Sequence, residues 1–306
     1  MQSIRVFCPG TIANVSCGFD VLGLSLAGVG EYMTVTQTPT KGITISEITG
    51  QDLPLETAKN VAGVAGLALL EALGSEAGFD IKIEKKIKAG SGIGSSAASS
   101  AGAVWAINHL LGNPYTTIEL IPFAMEGERL ASGVAHADNV APALLGGFTL
   151  VRSTDPLDVV SLPSPRELYA TVIHPQIEIK TADSRRILKS SLSLKDAITQ
   201  WGNVGGLVAG LYREDYELIG RSLQDVVIEP VRSILIPGFD EIKAAALNAG
   251  ALGCGISGSG PSVFALSKGA DKAHEVAQQL KEVYTPMGIP FDIHISNINE
   301  KGVYPT

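Results

Sequence analysis

The stretch IKAGSGIGSSAASSAGA, residues 87–103, decides how the rest of the chain is read. Gly90, Gly92 and Gly94 alternate with small residues, and Ser95 and Ser96 lead into an Ala-rich run. Before it, residues 79–87 set Ile81, Ile83 and Ile87 against Lys82, Glu84 and Lys88, the periodicity of a strand. After it, residues 96–111 read as a helix with a small-residue face. The glycines therefore sit at a strand-to-helix turn, where glycine supplies φ > 0 and lets a ligand approach bare backbone. Free N–H groups and the dipole of a helix start make an anion site. The hydroxyls of Ser95 and Ser96 suit phosphate or a Mg²⁺ shell. No Gly-Lys-Ser/Thr follows, so this is not a Walker A loop, and G-x-G-x-G followed by two serines is not the dinucleotide fingerprint. A tight glycine turn before a close-packed helix is the alternative. The run of small residues favours phosphate, with Gly90, Ser91, Gly92, Ile93, Gly94, Ser95, Ser96 and Ala97 as the cradle.

At 306 residues, 45% hydrophobic and 18% charged, the chain reads as globular, with one large core or two ordinary ones. The net charge of −8 argues against a nucleic-acid partner, whose footprint is a basic patch. Cys8, Cys17 and Cys254 have no C-x-x-C spacing, which argues against a metal cluster or disulfide framework and for a reducing, cytoplasmic setting. MQSIRVFCPG lacks the long apolar region of a signal peptide. The longest apolar run, 61–70, is too short to span a membrane, so no membrane partner is expected.

Outward from the glycines, strands are expected at 3–8, 21–26, 32–37, 43–48, 148–152, 169–174 and 291–296. Helices are expected at 60–73, 116–132, 195–212 and 271–284, and a strand–loop–strand at 250–266 with residues 257–260 at its tip. Residues 9–20 read as a loop. Residues 153–166, with three prolines and two aspartates, read as a linker between domains at 1–153 and 154–306. Taken alone, Asn14 and Asp20 bond local backbone, Asn60 caps its helix, and Glu128 lies on a solvated face. Each arginine alone is a surface ion pair of little worth. His136, Asp138 and Asn139 gather three polar groups in four residues, with no third ligand nearby for a metal.

Several separated segments then resemble, in chain order, the kinase superfamily named for galactokinase, homoserine kinase, mevalonate kinase and phosphomevalonate kinase, the GHMP kinases. GSGIGSSAAS resembles its phosphate loop, with Lys88 where a proline usually stands. PGTIANVSCGFDVLG, 9–23, is similar to its first motif in the homoserine kinase version, with Cys17 for a common proline. HADNVAPALLGG, 136–147, and EPVRSILIPG, 229–238, resemble homoserine kinase segments, and GALGCGISGSGPS, 250–262, resembles the third motif. Arg185 aligns with a T-x-x-A-R pattern that begins at Thr181, with Ser184 for the alanine.

The resemblance implies an α+β protein. An N-terminal α/β domain like domain 2 of ribosomal protein S5 would hold the glycine loop, a ferredoxin-like α+β domain would follow, and the active site would lie between them. It implies Mg²⁺-ATP and L-homoserine as ligands, on the route to threonine, and by family habit a homodimer. Asn60 would contact adenine, Ser96 and Glu128 would ligate Mg²⁺, and the loop at Ser259 would close near the phosphates. Asn14, Asp20, His136, Thr181, Arg185 and Arg232 would hold the acceptor. Asn139 would position its hydroxyl, standing where carboxylate-base relatives have Asp, with Asp138 and Arg185 as further catalytic candidates. Another GHMP small-molecule kinase, or a silent ligand sensor on the same fold, are the alternatives.

Overall fold

A computed structural model gives the fold of residues 1–179 and 181–306, with the side chains of 181–183 outside the description. The first half runs β1 (Ser3–Ala13), β2 (Leu22–Thr38), β3 (Gly42–Thr49), α1 (Val61–Ala72), β4 (Gly78–Glu84), α2 (Ser95–Leu110), α3 (Ile121–Ser132), α4 (Val140–Leu145), β5 (Phe148–Thr154) and β6 (Leu157–Leu162). The second runs β7 (Leu168–Pro175), α5 (Thr181–Arg186), α6 (Leu194–Arg213), α7 (Tyr216–Ser222), α8 (Glu229–Arg232), α9 (Phe239–Asn248), β8 (Gly253–Ile256), β9 (Val263–Lys268), α10 (Ala270–Tyr284), β10 (Phe291–Asn297) and β11 (Tyr304–Pro305).

Among the described residues the strands form two sheets. One is seven-stranded, in the order β11-β1-β2-β4-β3, with β5 and β6 continuing from β2. The other is four-stranded, in the order β10-β7-β9-β8. Its pairs are all antiparallel, and in chain order it reads 4-1-3-2, the ferredoxin-like arrangement the resemblance implies. Two sheets with helices packed on them make an α+β fold, as the resemblance implies.

Apolar alternation explains the layers. Met33 and Val35 of β2 and Phe79 and Ile81 of β4 pack under α1 and α2, whose contributions include Leu69, Val104 and Ile107. Leu22, Leu24 and Phe148 of the first sheet share a core with Val172, Phe264 and Leu266 of the second and with Leu207 and Leu211 of α6. On the far side of the second sheet, Ile173 and Val263 meet Ile242 of α9 and Val276, Leu280 and Tyr284 of α10. Each such side chain stabilises the fold by roughly 1.5–3 kcal/mol of burial. The two halves are thus joined by apolar packing.

Three expectations are corrected. β2 is one strand of 17 residues, not two. Gly30 does not break it; a Cβ there would lie 2.2 Å from the Phe7 ring, so glycine admits a cross-strand aromatic. β1 does not stop at Cys8 but runs to Ala13, with a register shift between Pro9 and Thr11 that absorbs the proline as a bulge. Residues 153–166 are not a free linker. β6 pairs with β5 from Phe148↔Leu162 to Thr154↔Leu157, burying Val159 and Leu162. The prolines flank this strand and do not interrupt it.

Candidate active site

α2 begins at Ser95 with Gly94 as its N-cap at φ 62, and among the described residues no side chain caps it. Its first-turn N–H groups are therefore free to meet an anion. A cleft of about 680 Å³ opens over this helix start, and Gly90, Ser91, Gly92, Gly94, Ser95 and Ser96 line it. Ile93 and Ala97 bury their side chains in the cores. Two of the serines brace the loop: Ser95 Oγ donates to the Ile87 carbonyl at 3.0 Å, and Ser91 Oγ accepts from the Ile93 N–H at 3.2 Å. The β8–β9 loop docks on the same turn, with Ser257 Oγ donating to the Gly92 carbonyl at 2.7 Å and Ser262 Oγ to the Ser91 carbonyl at 2.6 Å. Ser259 lines the cleft beside them.

Glu128, on α3, is 7% exposed and faces the Ser96 hydroxyl across the helix start, near enough for that hydroxyl to favour its ionised form. Burial pushes its carboxyl up to about 7 against the lowering influence of Ser96 and Lys85. Its Oε1 has no hydrogen-bond partner. A buried carboxylate oxygen left over beside a half-exposed hydroxyl is a hard-oxygen donor set that fits Mg²⁺.

At the other end of the cleft the backbone itself is unusual. Asn14, Val15, Ser16 and Asp20 have φ of 70, 41, 62 and 60, a left-handed conformation that costs energy, most of all for β-branched Val15. Asn14 holds the turn: its Nδ2 donates to the Gly258 carbonyl at 2.8 Å, and its Oδ1 accepts from the Asp20 N–H at 3.0 Å. Asp20 accepts from Arg185 and lies 3.9 Å from Nδ1 of His136. Burial, opposed by the Asp20 charge, lowers the His136 pKa. Arg232 is 3% exposed and donates to the Ser184 carbonyl at 3.1 Å and the Gly258 carbonyl at 3.3 Å. Both guanidiniums lie over the Phe19 ring, at 5.6 Å for Arg185 and 5.0 Å for Arg232. Asp138 is buried between the two ends; burial, then the charges of Asp20 and Glu128, push its carboxyl up to about 7, and its Oδ1 has no partner.

Asn60 lines the cleft and also caps α1, accepting from the Ala62 N–H and donating to the Pro54 carbonyl at 2.9 Å. The side chain of Thr181 lies outside the described residues. The cleft thus brings together Asn14, Asp20, His136, Asp138, Asn139, Arg185 and Arg232 with the glycine turn, Glu128 and Ser259.

Sequence reasoning missed a buried ion pair. Lys85 Nζ lies 2.7 Å from Glu31 Oε2, with side-chain exposures of 3% and 0%. The ammonium also donates to Ser99 Oγ at 2.9 Å and to the Ser95 carbonyl at 3.2 Å, and Ser99 Oγ donates to Glu31. Residue parity carries the signal: 85 falls on the same strand face as the buried Ile81 and Ile83, and 31 falls with Met33 and Val35. Thr11 and Phe19 were missed as well.

Comparisons with known proteins place the chain in a family. Residues 57–147 match the model for the GHMP kinases N terminal domain, and residues 207–285 match that for GHMP kinases C terminal. A homoserine kinase of Chloroherpeton thalassium is 47% identical, covering 99% of each chain, and one of Xylella fastidiosa is 38% identical, covering 97% of this chain and 92% of its own. The crystal structure of homoserine kinase from Cytophaga hutchinsonii superposes with a TM-score of 0.96 at 54% identity, covering 100% of this chain and 98% of that one. At 17% identity and TM-score 0.71, mevalonate kinase of L. major shares the fold, covering 97% of this chain and 96% of that one.

Proposed function

The chain belongs to the GHMP kinase family, in its homoserine kinase branch, and from that premise we propose the following chemistry. It transfers the γ-phosphoryl group of ATP to the side-chain hydroxyl of L-homoserine, giving O-phospho-L-homoserine and ADP. The observation that carries the substrate reading is the bipolar end of the cleft, where Asp20 meets Arg185 beside the buried guanidinium of Arg232. A carboxylate suits an ammonium and a guanidinium fork suits a carboxylate, so the pair matches an amino-acid zwitterion. Sugars and mevalonate do not carry both charges.

The residues divide the work. The open N–H groups of α2 and its dipole hold the phosphates, on a turn that the glycines shape through their positive φ. Ser96 and Glu128 hold Mg²⁺, which when bound neutralises phosphate charge. Asn139 orients the acceptor hydroxyl. The transition state is loose, so early deprotonation gains little and the proton leaves late. Asp20 is engaged by Arg185, whereas Asp138 has an unpartnered oxygen, so Asp138 receives that proton. The three cysteines are unpaired, which fits a cytoplasmic enzyme of amino-acid biosynthesis, with a homodimer as the expected assembly.

The test is an ADP-release assay with homoserine, galactose and mevalonate in parallel. Turnover on homoserine above the others is expected. Turnover on a sugar or mevalonate alone overturns the substrate, and no turnover on any of them favours the silent-sensor reading.

A further inference from the structure

Thr11 has no exposed surface, yet its hydroxyl reaches the acceptor end of the site. Oγ1 donates to Asn139 Oδ1 at 2.7 Å. Its backbone N–H donates to the Ile93 carbonyl of the glycine turn at 3.1 Å. The hydrogen bond to Asn139 passes against Gly94, where a Cβ would lie 1.9 Å from Thr11 Oγ1 and 3.0 Å from Asn139 Oδ1. Gly94 is therefore glycine twice over, for its positive φ and for this close approach. The strand bulge, the phosphate turn and the 136–147 segment meet at that one bond.

We propose that Thr11 is a positioning residue for phosphoryl transfer, locking the Asn139 amide so that its N–H edge faces the acceptor hydroxyl. This rests on the kinase reading above. An amide carries an acceptor oxygen on one edge and donor hydrogens on the other. With Oδ1 turned to Thr11, Asn139 presents Nδ2 to the half-open cleft that it lines. Nδ2 donates to a lone pair of the acceptor oxygen and takes no proton from it. That leaves another lone pair for phosphorus, and the hydroxyl proton points away from Asn139. As the new O–P bond forms and the bond to the β-phosphate bridging oxygen breaks, the hydroxyl proton passes to Asp138 and ADP leaves with the bridging electrons. Thr11 touches no substrate and acts only through Asn139.

The decisive experiment is a double-variant cycle in the full chain, with ATP binding by calorimetry as a check on folding. Thr11→Val is expected to lower kcat by about 10- to 100-fold, the scale of a misplaced reacting group, while KM for ATP moves less than about threefold. Thr11→Ser restores the hydroxyl and keeps kcat within about threefold of the parent. In an Asn139→Ala background, Thr11→Val adds less than about twofold, because the interaction it removes is already gone. Should Thr11→Val not fold, Thr11→Ala closes the same cycle. Normal kcat in Thr11→Val, or losses that multiply with Asn139→Ala, overturn the proposal. If the parent chain acts on a different alcohol, the homoserine reading falls separately, and the cycle run on that alcohol still decides the role of Thr11.

Discussion

Arg185 turns a single guanidinium nitrogen, Nη2, onto both carboxylate oxygens of Asp20, at 2.9 and 2.8 Å. The group suited to the substrate's carboxylate and the group suited to its ammonium neutralise each other before any ligand arrives. A zwitterion can replace this pair by exchange, one charge to each partner. A ligand with one charge breaks the pair and leaves one partner unmatched. 4-Hydroxybutyrate and 3-aminopropan-1-ol, each missing one charge of homoserine, are therefore expected to lose about 2 kcal/mol or more in kcat/KM. Steady-state kinetics on all three compounds tests this; equal efficiency for either analogue would sink the exchange.

Arg232 differs from Arg185 in being buried and held by two carbonyls, with no carboxylate within ion-pair distance among the described residues. It is a fixed positive charge, and desolvation followed by the Arg185 charge lowers its pKa. Arg232→Leu should raise KM for homoserine by the equivalent of about 2–5 kcal/mol and leave KM for ATP nearly unchanged. Arg232→Lys should not restore it, because an ammonium lacks the planar fork that spans two carbonyls and still faces a ligand. Equal rises in both KM values would place Arg232 in general folding, not in acceptor binding.

Glu128 yields a prediction in which stability and activity move in opposite directions. Its folded pKa is raised from 4.5 to about 7, so the folded state binds the proton more tightly than the unfolded state does. Stability therefore falls as pH rises from about 4.5 to 7, as the buried carboxyl is forced to ionise. Glu128→Gln removes that cost. In EDTA it should be more stable than the parent at pH 8 by on the order of 3 kcal/mol, and equal to it near pH 4.5. Its kcat with Mg²⁺-ATP should drop sharply. Thermal melts at the two pH values and a turnover assay check both halves; near-normal turnover at saturating Mg²⁺ removes Glu128 from the metal site.

The glycine turn and the polar cluster at His136, Asp138 and Asn139 were legible because their chemistry is local, whereas Asn14 and Asp20 entered only through the resemblance. Small residues, helix start and polar groups lie within a few positions of one another. The Lys85–Glu31 pair was not, since its partners are brought together only by the pairing of β4 with β2 and by α2 packing over both. Lys85 shares the parity of the buried Ile81 and Ile83, but a charged residue is ordinarily assigned to water. β6 was hidden by the prolines beside it, and the Thr11–Asn139 bond by the bulge that turns Thr11 toward α2. Arg185 and Arg232 were named as partners of a ligand; the sequence held no sign that Arg185 first pairs with Asp20.

The Lys85–Glu31 pair also sets a test of what a buried ion pair contributes. Burial raises the Glu31 pKa, with Lys85 opposing the rise. Removing only the cation, in Lys85→Met, strands a carboxylate that has no exposed surface, a defect that costs about 3–5 kcal/mol. The loss should be largest at pH 8 and shrink toward pH 5, because Glu31 escapes by taking a proton, and its raised folded pKa makes stability fall as pH climbs. Removing both charges, in Glu31→Leu with Lys85→Met, should return stability to within about 1 kcal/mol of the parent, since desolvation of two ions roughly cancels their attraction. The double variant should nevertheless bind ATP more weakly. Lys85 is what ties the Ser95 carbonyl and Ser99 Oγ, so the first turn of α2, the proposed phosphate cradle, loses its brace. Denaturant melts at pH 5 and 8 with ATP titrations separate the two effects. If the double variant were as unstable as Lys85→Met, or bound ATP like the parent, the pair would not serve to hold the helix start.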